Sequence, residues 1–253
     1  MLKIDMNADM GEGMGQDREL MQIISSANIA CGFHAGDSDT MKRTVELALE
    51  NCVAIGAHCS YPDRKNFGRV DLFERFRPSD LVDIISIQIN RLLEICISMG
   101  ARLAHVKPHG AMYNRAAREP LLSDCLCMAM AQIDPALILY GQSGSEMKSG
   151  AERHGLLFIN EVFANRRYES DGSLTPRGEP NAIIGDANEA VTQLLEMVQN
   201  RMVRSRQNSL ISIVAESVCV HGDEPDALFL ATTLRAALIA ENVSIAAPRS
   251  PAF

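Results

Sequence analysis

Apolar and polar positions alternate along the chain in short β-type runs, each followed by a loop with Gly, His or Asp and then by a helical pattern. That rhythm produces a parallel sheet. The runs predict strands over residues 3–8, 28–32, 53–57, 103–107, 137–140, 157–162 and 217–220, with a weaker eighth at 243–246. Met41, Val45, Ala48, Leu49 and Cys52 recur at helical spacing over 38–51, and a long apolar stripe over 78–99 stops at Gly100. Asp186 and Glu189 read as a capping box before Ala190, Leu194 and Val198, and Asp223 with Pro225 starts a helix carrying Leu228, Leu234 and Leu238. Seven or eight β/α units in 253 residues predict one barrel domain over 1–253, irregular or incompletely closed, with a doubly wound sheet as the alternative.

Strand parity locates the polar groups. Asp5, Asn7 and Asp9 alternate with Ile4, Met6, Ala8 and Met10, and His105, Lys107 and His109 alternate with Ala104, Val106 and Pro108. In a barrel one parity meets the helices and the other points inward. Unpaired buried charge costs several kcal/mol, so the inward Asp and Lys residues either pair or line a wet pocket at the mouth. His34, His58, His105, His109 and His221 all fall at or beside strand ends, in GFHAGD, GAHCSYPD, AHVKPHGA and VHGD. Barrels gather catalytic residues on that face. Ala30 and Gly32 precede His34, and Ala54 and Gly56 precede His58, on the same parity, which predicts open volume beneath both imidazoles.

Imidazoles combined with Asp9, Glu12 and Asp37 fit either a divalent metal site, with Asp9, His34 and His58 as a ligand set, or general acid-base catalysis. Acid-base work is the favoured reading, because no HExxH or paired-Cys motif is present. A strand-end Lys107 can neutralise a developing oxyanion, or else form an ion pair with Asp5 or Asp9. Arg166 or Arg167, shortly after Glu161, can grip a substrate carboxylate bidentately. The run Gly11-Glu12-Gly13-Met14-Gly15 does not match a dinucleotide fingerprint, and residues 141–145 lack the Lys of a phosphate loop, leaving Ser143 to cap the next helix. Cys59 reads as inert packing.

Charge narrows the partners. Lys and Arg total 24 against 32 Asp and Glu, a net −8, with no basic tract, so nucleic acid lacks its electrostatic driving force. No apolar run approaches the ~20 residues of a membrane span, and the first residues have no signal-peptide core, so a cytoplasmic location is expected. Seven Cys with no CxxC pair form neither a disulfide framework nor a zinc ribbon.

The blocks DMNADMGEG, ANIACGFHAGD, AIGAHCSYPDRKNFGR, HVKPHGAMYN, EVFANRRY, DGSLTPR and VHGDEPDAL run in order through nearly the whole chain. Together they resemble the family of 5-oxoprolinase A subunits, also called the lactam-utilisation LamB/YcsF family. The resemblance implies a distorted seven-stranded parallel β/α barrel of the polysaccharide-deacetylase type. It also implies one component of a three-part enzyme that opens 5-oxo-L-proline to L-glutamate while ATP, with Mg2+ as co-substrate, is hydrolysed to ADP and phosphate. Two other 5-oxoprolinase subunits are then the partners, expected to complete the nucleotide site or the phosphoryl-transfer chemistry. The chain departs from the family pattern at Ala8, Cys59 and Asn165. The combined expectation is a catalytic set of Asp9, His34, His58, Lys107, His109 and His221, with Asn7, Glu12, Asp37, Glu161 and Arg166 binding substrate. Two alternatives remain open: a stand-alone metal-dependent deacetylase-like amide hydrolase, and a non-catalytic substrate-binding subunit.

Overall fold

The computed structural model describes residues 2–220 and 226–249. Its strands, in chain order, are β1 (Lys3–Met10), β2 (Ser26–Ala30), β3 (Ala54–Cys59), β4 (Leu103–Pro108), β5 (Ile138–Gln142), β6 (Leu157–Phe163), β7 (Met202–Arg204), β8 (Leu210–Ser212), β9 (Ser217–Val220) and β10 (Ser244–Ile245). The helices are α1 (Asp17–Met21), α2 (Ser38–Glu50), α3 (Pro78–Ser98), α4 (Gly110–Ala116), α5 (Pro120–Ile133), α6 (Glu146–Arg153), α7 (Ala187–Leu195) and α8 (Ala227–Ala240). Strands β1 to β6 and β9 pair in parallel, and β9 bonds both β6 and β1, closing a seven-stranded barrel. The weaker eighth strand exists as β10, which adds to the start of β1 outside the closed ring. Among the described residues no helix is long and apolar enough to cross a membrane.

Sequence and fold agree where periodicity is strong. Asp186 caps α7 by accepting from the backbone N–H groups of Asn188 and Glu189, and Pro78 opens α3 at its first turn. The helix carrying Leu228, Leu234 and Leu238 is α8, whereas Asp223 and Pro225 lie outside the described residues. Strand β2 lies two residues earlier than its pattern predicts. Ser25 and Ser26 look like loop residues, yet both hydroxyls donate to Asp5 inside the barrel, at 2.6 and 2.7 Å, which lets Ser26 open a buried strand with its hydroxyl satisfied. Gly32, strand by its pattern, has φ +93° and begins the turn that carries His34. Ser143 does not cap a helix; its hydroxyl accepts the Val214 N–H at 3.0 Å. Between β6 and β9, the antiparallel β7–β8 hairpin has no strong periodic signal, unlike α7 before it.

Outward residues of the strands pack with the helices in one large apolar cluster. The inward parity is polar on β1, β2 and β4, as the alternation predicts, while Ile138, Tyr140 and Ile159 form a small apolar cluster of their own. Asp5 accepts from Ser25, Ser26 and Ser217; Asn7 donates to Glu161 and Ser217; Asn28 donates to Asn7 and Asp9. The open volume expected beneath His58 is absent. The His105 imidazole fills it, lying where a Gly56 Cβ would stand and donating from Nε2 to Asn28 Oδ1 at 2.8 Å. The pairing accommodates this ring by a register slip, Ile55 opposing Leu103 while Gly56 opposes His105. Gly56→Ala therefore forces a methyl group into an imidazole, and chemical denaturation should show a loss of about 1–3 kcal/mol; an unchanged midpoint would mean that His105 leaves this position freely.

Candidate active site

At the C-terminal mouth of the barrel the site is built in two layers. The floor belongs to the strands. Lys107, fully buried on β4, donates to Asp9 Oδ1 at 2.9 Å and Asn7 Oδ1 at 3.2 Å, and lies 3.1 Å from Glu161 Oε1 and 2.9 Å from Cys219 Sγ. Burial alone would pull its pKa down, but Asp9, Cys219 and Glu161 outweigh burial and hold the amine well above its usual range. Of the two aspartates on β1 it pairs with Asp9; Asp5 lies deeper among serines. Glu161 is completed by Asn7 and by the Tyr113 hydroxyl at 2.7 Å, and burial followed by Glu161 raises the Tyr113 pKa.

The roof comes from loops. Glu12 follows β1, His34 follows β2, His58 is the last residue but one of β3, and His109 stands at the start of α4. His34 and His109 stack face to face with centroids 3.9 Å apart, and His58 stands edge-on to both. Glu12 Oε1 lies 3.0 Å from His34 Nε2, 3.5 Å from His109 Nδ1 and 3.9 Å from His58 Nε2. His58 Nε2 is also 3.0 Å from His109 Nδ1 and 3.3 Å from Asp9 Oδ2. Burial, reinforced by the neighbouring imidazoles, lowers the pKa of His34, and burial and His58 pull His109 down to about 3. Both rings are neutral at pH 7.

A short loop locks this roof. Residues 60–69 cross above the mouth, with Asp63 capping the turn Arg64–Asn66. Gly68, at φ +64°, is required there: a Cβ would lie 2.9 Å from His109 Cδ2 and 3.0 Å from the Cβ of His34. Buried Gln88 of α3 ties the loop down, accepting from Ser60 N–H and donating to its carbonyl, both at 2.9 Å.

A narrow cavity of about 60 Å³ opens on these groups, lined by Asp9, Glu12, His58, Lys107, His109 and Tyr113 on the barrel side. Arg166 and Arg177 line its outer wall and a wider adjoining cavity of about 930 Å³. The buried Arg166 also donates to Thr175 O, whereas Arg167 turns outward to Glu189.

The structure thus gathers Asp9, Glu12, His34, His58, Lys107 and His109, with Arg166 at the edge. Asn7 and Glu161 belong to the floor and act through Lys107 and Tyr113 rather than lining the cavity. Asp37 is a correction. It is exposed and caps α2 by accepting the Thr40 N–H at 2.8 Å, beside a different depression with Arg64 and Arg91. His221 lies outside the described residues. Tyr113, Ser60 and Gln88 escaped sequence reasoning, although Tyr113 follows His109 at helical i, i+4 spacing in PHGAMYN.

With that geometry in view, residues 4–252 match the LamB/YcsF family. The chain belongs to this family. It is 47% identical over 245 residues to the protein of Erwinia tasmaniensis named as the A subunit of 5-oxoprolinase, covering 96% of this chain and 99% of that one. Among solved structures it is similar to the lactam utilization protein of Thermus thermophilus, with a TM-score of 0.91, 34% identity and coverage of 98% and 100%. The catalytic domain of a peptidoglycan N-acetylglucosamine deacetylase of Eubacterium rectale shares the fold at a TM-score of 0.50 and 11% identity, covering 99% of this chain and 92% of that one. The LamB/YcsF chain therefore has the distorted barrel of the polysaccharide-deacetylase type.

The floor sets two expectations for stability. Lys107→Met leaves Asp9 and Glu161 buried without their cation and should cost about 3–5 kcal/mol in urea unfolding; a loss below about 1 kcal/mol would show that the ammonium is not their counter-ion. Burial and Lys107 pull His105 down from 6.5 to about 3. Between those values the unfolded chain binds a proton that the folded chain refuses, so stability falls as pH falls, by up to about 1.4 kcal/mol per pH unit from this group. Unfolding of the His105→Gln variant between pH 6 and pH 4 should show a correspondingly shallower slope.

Proposed function

We propose that this chain is the ring-opening A subunit of an ATP-dependent 5-oxoprolinase, cleaving 5-oxo-L-proline to L-glutamate with hydrolysis of ATP to ADP and phosphate. The observation that carries this reading is the 47% identity, over nearly the full length of both chains, to a protein of that name. The chemistry available at the mouth supports it. Lactam hydrolysis needs a base for water, stabilisation of an oxyanion, and a proton for the departing nitrogen. Asp9, paired with Lys107 through one oxygen and lining the cavity, is the base. The Lys107 ammonium lies within the same cavity wall and favours the developing negative charge. Arg166 and Arg177 stand where the substrate carboxylate would enter.

A lactam carbonyl is resonance-stabilised; transfer of the γ-phosphoryl group of ATP to its oxygen, with ADP leaving, makes the carbon a better electrophile, after which one water opens the ring to an acyl phosphate and a second releases phosphate and leaves L-glutamate. That step accounts for the coupling to ATP. The sequence has no phosphate-binding loop of the P-loop kind, so ATP with Mg2+ is handled together with two partner subunits. The second reading, an amide hydrolase working alone, is favoured by the cluster of Glu12 and three histidines.

One assay separates them. The purified chain is given ATP, magnesium and 5-oxoproline, and glutamate and ADP are measured before and after the candidate partner subunits are added. Glutamate should appear only in the mixture with ATP, and Asp9→Asn should lower the mixture's kcat by about 100-fold or more. Release by the lone chain without ATP would overturn the coupled reading in favour of the stand-alone hydrolase. A mixture in which Asp9→Asn keeps full activity would leave this chain with a binding role only.

A further inference from the structure

The hydrogen bonds on the outer side of the three histidines assign their tautomers. His58 Nδ1 lies 2.8 Å from the carbonyl of Lys107, and His109 Nε2 lies 2.9 Å from the carbonyl of Phe67. A carbonyl can only accept, so both of those nitrogens carry hydrogen. Ser60 has one hydroxyl proton, which it donates to Tyr61 O at 2.9 Å, so its oxygen accepts at 3.0 Å from His34 Nδ1. With the ring proton of each on that outer nitrogen, the inner nitrogens, His34 Nε2, His58 Nε2 and His109 Nδ1, present lone pairs. All three face one point, and the Glu12 carboxylate faces it too, the four ligand atoms lying within 4.8 Å of one another.

Acceptors gathered in this way repel unless a cation sits among them. A proton on His58 Nε2 would serve the contacts with His109 Nδ1 at 3.0 Å and Asp9 Oδ2 at 3.3 Å, but it would leave His34 Nε2 against Glu12 Oε1 at 3.0 Å. One ion at the centre serves every pair among Glu12, His34, His58 and His109. Ligands about 2.1 Å from a tetrahedral centre stand about 3.4 Å apart. Four of the separations here are 3.0, 3.0, 3.5 and 3.9 Å. Each imidazole is also oriented by an outer partner, as metal-ligating histidines are.

From this we infer that Glu12, His34, His58 and His109 bind one divalent transition-metal ion, of the class that prefers imidazole and carboxylate ligands, as zinc does. Glu12, His58 and His109 line the narrow cavity, which gives the ion an entry path and leaves it open to a further ligand on that side. Ser60 acts as a positioning residue, because its hydroxyl decides which nitrogen of His34 faces the ion.

The test needs no turnover. The full chain, stripped with a chelator and desalted, is titrated with Zn2+ by calorimetry and with Co2+ by visible absorption. One ion per chain is expected, with a cobalt spectrum of four- or five-coordinate intensity and no thiolate charge-transfer band. His34→Gln and His109→Gln should each weaken binding at least about tenfold, and Ser60→Ala, which removes no ligand, by about 10- to 100-fold. Circular dichroism of each metal-free variant checks its fold, and the cobalt spectrum of the unaltered chain stands even where a variant fails to fold. A stripped chain that takes up no ion, an affinity unchanged in all three folded variants, or a thiolate band would each overturn the site. A metal-binding chain with no role in 5-oxoproline cleavage would leave this inference standing and refute the proposed function alone.

Discussion

The buried ammonium of Lys107 is the constraint on which the rest of the structure depends. Removing such an ion from water costs several kcal/mol, repaid only when opposite charges and hydrogen bonds meet it at good geometry. Here the partners come from three other strands: Asp9 and Asn7 on β1, Glu161 on β6 and Cys219 on β9 all meet the Lys107 of β4. Those contacts run across the barrel, so they fix how neighbouring and opposite strands register at the mouth. They also fix Asp9. One carboxylate oxygen is committed to Lys107, and the other is left facing His58 at 3.3 Å.

Above this floor, the imidazoles are held by a different kind of restraint. Backbone carbonyls of Phe67 and Lys107 and the hydroxyl of Ser60 hold the rings from outside, and Gly68 lets the loop come close enough to do so. The Gln88 side chain then fastens Ser60 to α3. A chemical group held from behind in this way keeps its reactive atom free and its orientation settled before any ligand arrives, which is how preorganised sites gain their advantage. The floor depends on charge pairing within the strands and the roof on loop hydrogen bonding, so the roof can vary in sequence without dismantling the barrel.

Much of this is legible in the chain. Parity alone puts Asp5, Asn7, Asp9, His105 and Lys107 on the inside, because a β-strand has a fixed period of two and the apolar partners have to meet the helices. It does not say which inward group pairs with which. Asp5 and Asp9 are equivalent by pattern and differ only in depth, one among serine hydroxyls and the other beside an ammonium. Asp37 misleads for a local reason, since Asp-Ser-Asp-Thr before an apolar run is as good a helix cap as it is a ligand motif. The space under His58 is misjudged because small residues at 54 and 56 signal room, but not which neighbour occupies it. Ser60 and Gln88 act through geometry between distant segments, and no spacing along the chain encodes that.

Net charge, too, has to be read locally. The chain carries −8 overall, which argues against long-range attraction of polyanions. Yet the wide cavity beside the narrow one is lined by Arg69, Arg118, Lys148, Arg166 and Arg177 against Glu169 and Asp171. Its apolar wall includes Leu174, Ile211, Ile213 and Val214. Fields inside a cleft are set by the nearby charges, because more distant ones are screened beyond about 10 Å. An acidic surface with a basic cleft therefore repels extended polyanions and still admits a small anionic molecule with an apolar body. A lactam carrying one carboxylate is such a molecule. At about 930 Å³ the wide cavity is far larger than the narrow one, at about 60 Å³, onto which Asp9 and Lys107 open. Under the proposed function, the wide cavity then has space for an anionic co-substrate or for a partner's loop, which fits an enzyme whose site is completed on assembly.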